Sequence, residues 1–228
     1  MRPTDSAPGR KILILYAHPA LEKSRVNRRM ILAVEQLPGV TVHDLYETYP
    51  DLLVDVRREQ ELLTQHDVIV FHHPFYWYSS PAIIKEWQDV VLEFNFAYGE
   101  DGTALRGKIM MNALTAGGSR AAYEPTGENG YYIRQLLAPF DRTAHLCGMT
   151  YLPPYVVHGT HRIDPYAIDD HALQYRRFLE LLRDGAITDA QIQELAARPA
   201  AELSCINEYL QIRPDAQPAE FAERSDNA

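Results

Sequence analysis

Strand-length apolar runs punctuate the chain at 11–16 (KILILY), 67–71 (DVIVF), 108–114 and 150–157, and 40–45 reads as a further strand. Near-continuous apolar runs are what strands need when both faces of a parallel sheet are covered. Between them the rhythm changes to that of helices. Val26, Met30, Ile31, Val34 and Leu37 share one side of a helix that starts at Ser24, and 55–64 forms a more polar one. Ser80 and Pro81 supply an N-cap and a first-turn proline for a helix whose inner face carries Ile83, Ile84, Trp87, Val90, Val91 and Phe94. Residues 131–147 are helical with an interruption near Pro139, and 166–183 form a last core helix. Five short strands alternating with helices predict an α/β fold, a doubly wound five-stranded parallel sheet with helices on both faces.

The ends read differently. Residues 1–10 form a polar, proline-containing tail predicted to be disordered, with no apolar stretch of the kind a leader peptide carries. Residues 11–184 contain no linker-like break and constitute one domain. Residues 185–228 read as a helical appendage. Thr188 and Gln191 make a capping-box pattern for a helix to about Ala197, a second helical stretch covers 200–210, and the polar end is expected to be disordered.

Charge and cysteine content narrow the function. A net charge of -9 with no basic stripe argues against nucleic acid as a partner. Cys147 and Cys205 are far apart and lack metal-ligand spacing, as expected of buried thiols in a reducing compartment. No run approaches the ~20 apolar residues that span a bilayer, so a cytoplasmic protein is expected. The pairs His72-His73 and His158/His161 do not form a metal-ligand pattern, and no metal is expected.

The candidate chemistry lies at the carboxyl ends of three strands, which is where ligands bind in an open α/β sheet. The first corner holds His18 and then Ser24, Arg25, Val26 and Asn27 at a helix start, where free N–H groups, the helix dipole and Lys23 and Arg25 suit a phosphate. The second holds Phe75, Tyr76, Trp77 and Tyr78, four consecutive aromatics in a surface loop, suited to a large flat ring or to a dimer contact. The third is Thr115, Ala116, Gly117 and Gly118, where small residues let backbone amides approach a flat ligand. No P-loop and no GxGxxG motif is present. A flavin satisfies all three corners. His158, at the end of the fifth strand, is a candidate proton donor, and Tyr123 a candidate gate on the substrate side.

The stretches LYAHP (15–19), SRVN (24–27), HDLYETYPDLLVDVRREQELL (43–63), HHPFYWYSSPAIIKEW (72–87), FAYGEDGTALRGK (96–108) and TAGG (115–118) carry a resemblance. In them the chain resembles the flavodoxin-like NAD(P)H:quinone oxidoreductases, and within that family the ancillary subunits of the glutathione-gated Kef potassium-efflux systems. The resemblance implies FMN, with FAD as the alternative, at the interface of a homodimer. It also implies ping-pong two-electron hydride transfer through flavin N5, from NAD(P)H to a quinone. The family's flavin positions fall on His18, on Ser24 to Asn27, on Phe75 to Tyr78 and on Thr115 to Gly118. A Kef-type antiporter is implied as a partner, which would place the protein peripherally at the inner membrane. His158 stands where animal-type members of the family place a tyrosine. A non-catalytic regulatory subunit that uses its flavin as a sensor, and a reductase of azo or nitro compounds, are the competing readings.

Overall fold

The computed structural model describes residues 9–211. Its sheet contains β1 (Ile12–Tyr16), β2 (Val40–Asp44), β3 (Val68–Pro74), β4 (Ile109–Thr115), β5 (Thr150–Tyr151) and β6 (Tyr155–Val157). The strands are parallel in the order β2-β1-β3-β4-β5, with β6 also pairing with β4. This is the 2-1-3-4-5 order of flavodoxin-like sheets, so the predicted doubly wound fold is the one adopted. The helices are α1 (Arg25–Val34), α2 (Leu45–Thr48), α3 (Val56–Gln65), α4 (Ala82–Val91), α5 (Ile133–Leu136), α6 (Ala138–Leu146), α7 (Pro165–Arg183), α8 (Asp189–Ala197) and α9 (Ile206–Gln211).

The period of two along β1 divides the core. Ile12, Ile14 and Tyr16 pack with α1 and α7, while Leu13 and Leu15 pack with α4 and α6 on the other face. Each fully buried aliphatic side chain contributes roughly 1.5–3 kcal/mol against conformational entropy. Polar caps stop the helices from fraying. Ser24 accepts from the Asn27 amide, Asp55 from that of Arg58 and Asp164 from that of Tyr166, each worth about 1 kcal/mol.

Several boundaries differ from expectation. The fifth strand is not continuous over 150–157. Met110 of β4 pairs with Tyr151 and Ala113 with Tyr155, so the outer chain accommodates an extra residue around Pro153 and Pro154. Those prolines have no N–H to offer the ladder, and the bulge absorbs them. Pro81 rather than Ser80 occupies the N-cap of α4, and the helix ends at Val91, which leaves Phe94 exposed in the following turn instead of on an inner face. The break in the 131–147 segment falls at Leu137, with Pro139 in the first turn of α6, where a proline costs no hydrogen bond. The 116–130 loop contains a short 3-10 helix, Arg120–Tyr123.

Residues 187–211 are built into the core. Ile187, Ile192, Leu195, Leu203, Ile206 and Leu210 join the cluster under α1 and α7. The Arg134 guanidinium donates to the carbonyls of Ala196 at 2.7 Å, Arg198 at 2.7 Å and Leu203 at 3.3 Å, capping the end of α8. Asn207 Oδ1 accepts from the Val156 amide at 2.8 Å. Arg10, read as part of the leading tail, donates to Leu182 O at 2.7 Å and Asp189 Oδ1 at 2.6 Å. The second helix of the segment starts at Ile206, because Pro199 to Cys205 form turns. Residues 1–8 and 212–228, expected to be disordered, lie outside the described residues.

Candidate functional site

A cavity of about 480 Å³ opens at the carboxyl ends of β1, β3 and β4, within the size range of small-molecule sites. All three predicted corners reach it. At the first, His18, Ser24, Arg25, Val26 and Asn27 line the wall together with Ala20 and Lys23. The amides of Arg25 and Val26, in the first turn of α1, donate to no group of the described residues, as the first amides of a helix do, and their residues line the cavity. His18 is buried, accepts from the Ala20 amide through Nδ1 at 3.1 Å, and has its pKa pushed below the ordinary histidine value by burial.

Asn27 ties this corner to the others. Its Nδ2 donates to Ser24 Oγ at 2.9 Å and to Thr115 Oγ1 at 2.8 Å, and its Oδ1 meets His72 Nε2 at 3.2 Å. With both amide hydrogens given to hydroxyls, Oδ1 is left to accept, so the His72 proton sits on Nε2. Burial first, then the nearby His73 and His18, push His72 down to about 3, and the ring is neutral. Three segments far apart in sequence are thus pinned around one polar node.

The second corner is a tight hairpin turn. Tyr76 and Ser79 exchange backbone hydrogen bonds at 3.2 and 2.9 Å, and Trp77 and Tyr78 between them have φ of 50° and 63°. Two successive left-handed residues define a type I′ turn, which normally uses Asn and Gly. Here two bulky aromatics occupy it at about 1–2 kcal/mol each. Such strain is typical of ligand-clamping segments. The turn fixes the fate of each ring. Phe75 is buried, Tyr76 and Tyr78 are about half exposed, and Trp77 is 93% exposed. Phe75 and Tyr76 line the main cavity, whereas Trp77 and Tyr78 line a neighbouring open recess of about 340 Å³ with Phe75, Tyr76, Tyr123 and Asn129. The Trp77 and Tyr78 amides donate to no group of the described residues.

At the third corner, Thr115 and Gly117 face the cavity, while Ala116 is buried in the core and Gly118 lies against Tyr123. A Cβ at Gly117 would stand 2.4 Å from His161 Nε2, and one at Gly118 would stand 3.0 Å from the Tyr123 ring. Neither glycine amide donates to a protein group among the described residues. Close approach, not turn geometry, is what favours glycine at 117, since a Cβ there would displace the His161 ring.

Tyr123 and His158 are brought together, but beside the main cavity. Their ring centroids are 5.6 Å apart, and both line a smaller polar recess of about 190 Å³. Tyr123 also lines the open aromatic recess, so it stands between the two. Burial, aided by the Arg120 charge, pushes His158 down to about 4. Besides His18, it is His161 that lines the main cavity, with Thr160 before it. The chain alone marks His161 only as a neighbour of His158. Its pointer was Gly117, whose missing side chain makes room for the imidazole. His72 and His73 point to opposite faces. His73 accepts from Asn112 Nδ2 at 3.0 Å and donates to Pro74 O at 2.9 Å, and burial pushes it down to about 4. Among the described residues no cluster of His, Cys, Asp or Glu could hold a metal ion, and no helix is long and apolar enough to cross a membrane.

Residues 10–179 match the family described as having a flavodoxin-like fold. The glutathione-regulated potassium-efflux system ancillary protein KefG of Pectobacterium carotovorum is 46% identical over 169 residues, covering 74% of this chain and 92% of the relative. General stress protein 14 of Treponema denticola, solved in complex with FMN, superposes with a TM-score of 0.73 at 36% identity, covering 75% of this chain and 99% of that one. An NADPH-quinone reductase from P. pentosaceus superposes with a TM-score of 0.68 at 33% identity, covering 74% and 96%. With its strand order, its rim cavity and the match over residues 10–179, the chain belongs to the flavodoxin-like family.

Proposed function

We propose that the protein is an FMN-dependent NAD(P)H:quinone oxidoreductase. The observation that carries this reading is the convergence of three corners on one cavity: the first presents unpaired amides and cations, the second the rings of Phe75 and Tyr76, and the third the unpaired Gly117 amide. Bound FMN would supply the redox chemistry, taking hydride at N5 from NAD(P)H and delivering two electrons to a quinone. The protein's share is binding and orientation. The start of α1, with Lys23 and Arg25, holds the phosphate. The amides of Gly117 and Gly118 and those of the strained Trp77-Tyr78 turn would donate to the polar atoms of the ring. Phe75 and Tyr76 pack beside the ring, and Tyr123 borders the acceptor side. His158, neutral at working pH and set behind Tyr123, is a positioning residue, and His161 is the imidazole nearer the ring. FMN is favoured over FAD because a 36% identical relative was solved in complex with FMN.

The same reading includes a homodimer in which the exposed Trp77 and Tyr78 meet a second copy across the open recess. The 46% identity to KefG supports a further role, docking to a Kef-type antiporter from the cytoplasm at the inner membrane. The test begins with the flavin. Heat-released cofactor should chromatograph as FMN, and the yellow protein should turn over NADPH catalytically under anaerobic conditions only when a benzoquinone is present, with one equivalent of NADPH per flavin consumed without it. A colourless protein that does not take up FMN, or a flavoprotein inert towards quinones, sinks the reductase reading. Co-purification with an antiporter despite such inertness would leave the regulatory-subunit reading standing.

A further inference from the structure

Tyr123 is a partition between two recesses, and a segment beyond the family match holds it in place. Its ring meets Phe75 at 5.8 Å on one side and His158 at 5.6 Å on the other. The polar recess behind it, about 190 Å³, has Ser204, Cys205 and Glu208 as its far wall, all beyond residue 179, where the match to the family ends. Tyr123 is the last residue of the 3-10 helix and Arg120 the first. Arg120 Nη2 donates to Glu208 Oε1 at 2.6 Å, with the Glu208 side chain only 19% exposed. Glu208 belongs to α9, which is itself anchored by the Ile206 amide on Pro154 O at 2.8 Å and by Asn207 on Val156. At the other end, Asn129 Nδ2 donates to Ala122 O at 2.9 Å, and Asn129 Oδ1 accepts from the Tyr78 hydroxyl at 3.2 Å. One rigid turn of helix is therefore clamped between α9 and the aromatic turn.

We propose that α9, through the Glu208–Arg120 ion pair, positions Tyr123 and thereby sets acceptor selectivity: compact flat rings fit the aromatic recess, while acceptors with a bulky ring substituent are excluded. Releasing Tyr123 joins the two recesses and admits the larger acceptors. The inference rests on the reading of the aromatic recess as the acceptor side. Arg120 and Glu208 are positioning residues, since neither lines the main cavity.

The variants are Arg120→Ala, Glu208→Gln, Tyr123→Ala and the charge-swapped pair Arg120→Glu with Glu208→Arg. A half-exposed ion pair contributes little to global stability, so Arg120→Ala should fold normally. Hydrogen–deuterium exchange on the flavin-free protein should be faster across 117–130 in Arg120→Ala and return towards the starting rate in the charge swap. In the FMN-loaded protein, the ratio of kcat/KM for a bulky substituted naphthoquinone to that for benzoquinone should rise about tenfold in Arg120→Ala, the scale of pocket-size discrimination. The change should be carried by KM, with FMN affinity unchanged. Tyr123→Ala should show the same shift, and combining it with Arg120→Ala should add nothing. Unchanged exchange in Arg120→Ala overturns the coupling. An unchanged acceptor ratio in Arg120→Ala, alongside a shifted one in Tyr123→Ala, overturns the role of α9. No quinone reduction by the unaltered protein would instead fault the functional reading, together with the selectivity part of this inference, and the exchange experiment would still decide the coupling.

Discussion

On one face of the sheet, a carboxylate is buried among donors; on the other, an amide is buried among hydroxyls that open onto the cavity. Glu59 of α3 has no exposed surface, yet its Oε1 accepts from His43 Nε2 at 2.8 Å and the Tyr49 hydroxyl at 2.6 Å, and its Oε2 accepts from Trp87 Nε1 at 2.8 Å. Burial pulls its pKa up, but these three hydrogen bonds outweigh that and hold it below the ordinary carboxylate range. Asn27 is as deeply buried, but the oxygens it organises, Ser24 Oγ and Thr115 Oγ1, belong to residues that line the main cavity. The first network is closed and serves architecture, joining β2, α3 and α4. The second ends at the lining of the main cavity. Depth of burial does not separate a structural polar cluster from a functional one; where its last oxygen points does.

The largest effect should come from breaking the closed network. Glu59→Ala leaves three donors buried without an acceptor and should cost about 3–5 kcal/mol in urea unfolding, the cost of breaking a buried charged pair. Surviving folded protein should bind FMN nearly as before. Asn27→Ala should do the reverse in proportion. We expect about 1–3 kcal/mol of stability loss and an FMN affinity weakened by about tenfold or more in a fluorescence titration, because Ser24 and Thr115 lose their common donor. Equal affinity losses in the two variants would dissolve the contrast.

Acid should separate the networks without mutation. His72, His73 and His158 are pushed down to about 3, 4 and 4, chiefly by burial, from an ordinary 6.5. The unfolded chain therefore takes up protons below 6.5 that the folded one refuses, so stability is full above that pH and falls as pH drops towards 4. The slope should approach about 1.4 kcal/mol per pH unit for each histidine. His72→Gln should flatten this leg. The Glu59 contribution should persist until the pH falls through and below the ordinary carboxylate range, because its pKa is lowered in the folded state. The smallest effect has the opposite sign. Replacing Trp77-Tyr78 by Asn-Gly relieves two left-handed aromatics and should raise the melting temperature by ~2–4 °C per kcal/mol recovered, while FMN affinity declines. Higher stability with unchanged affinity would show that the strained rings do not serve the ligand.

Much of this was legible in the chain. The runs KILILY and DVIVF became β1 and β3, Ser24 became the cap of α1, and the three corners came to one rim. Other features were not. The 55–64 segment reads as a polar surface helix because a glutamate has no local mark of burial, and Glu59 is buried only because His43, Tyr49 and Trp87 arrive from other segments. The end segment reads as an appendage because short capped helices there run on into a polar end without a further strand. Arg10, Arg134 and Asn207 attach it through contacts that span 51 to 179 positions. Among the histidines, position at a strand end favoured His158, whereas the turn after β6 and the space left by Gly117 put His161 at the main cavity.

The chain by itself determined the order of strands and helices, the parallel sheet and the rim on which a ligand sits, because period, burial on both faces and crossover handedness act through local sequence and general sterics. Only the tertiary structure decided which of four adjacent aromatics is buried and which stands in solvent, that His161 rather than His158 lines the main cavity, and that Glu208 of α9 pairs with Arg120. Those outcomes depend on a left-handed turn and on contacts between segments far apart in the chain, whose energies no local pattern records.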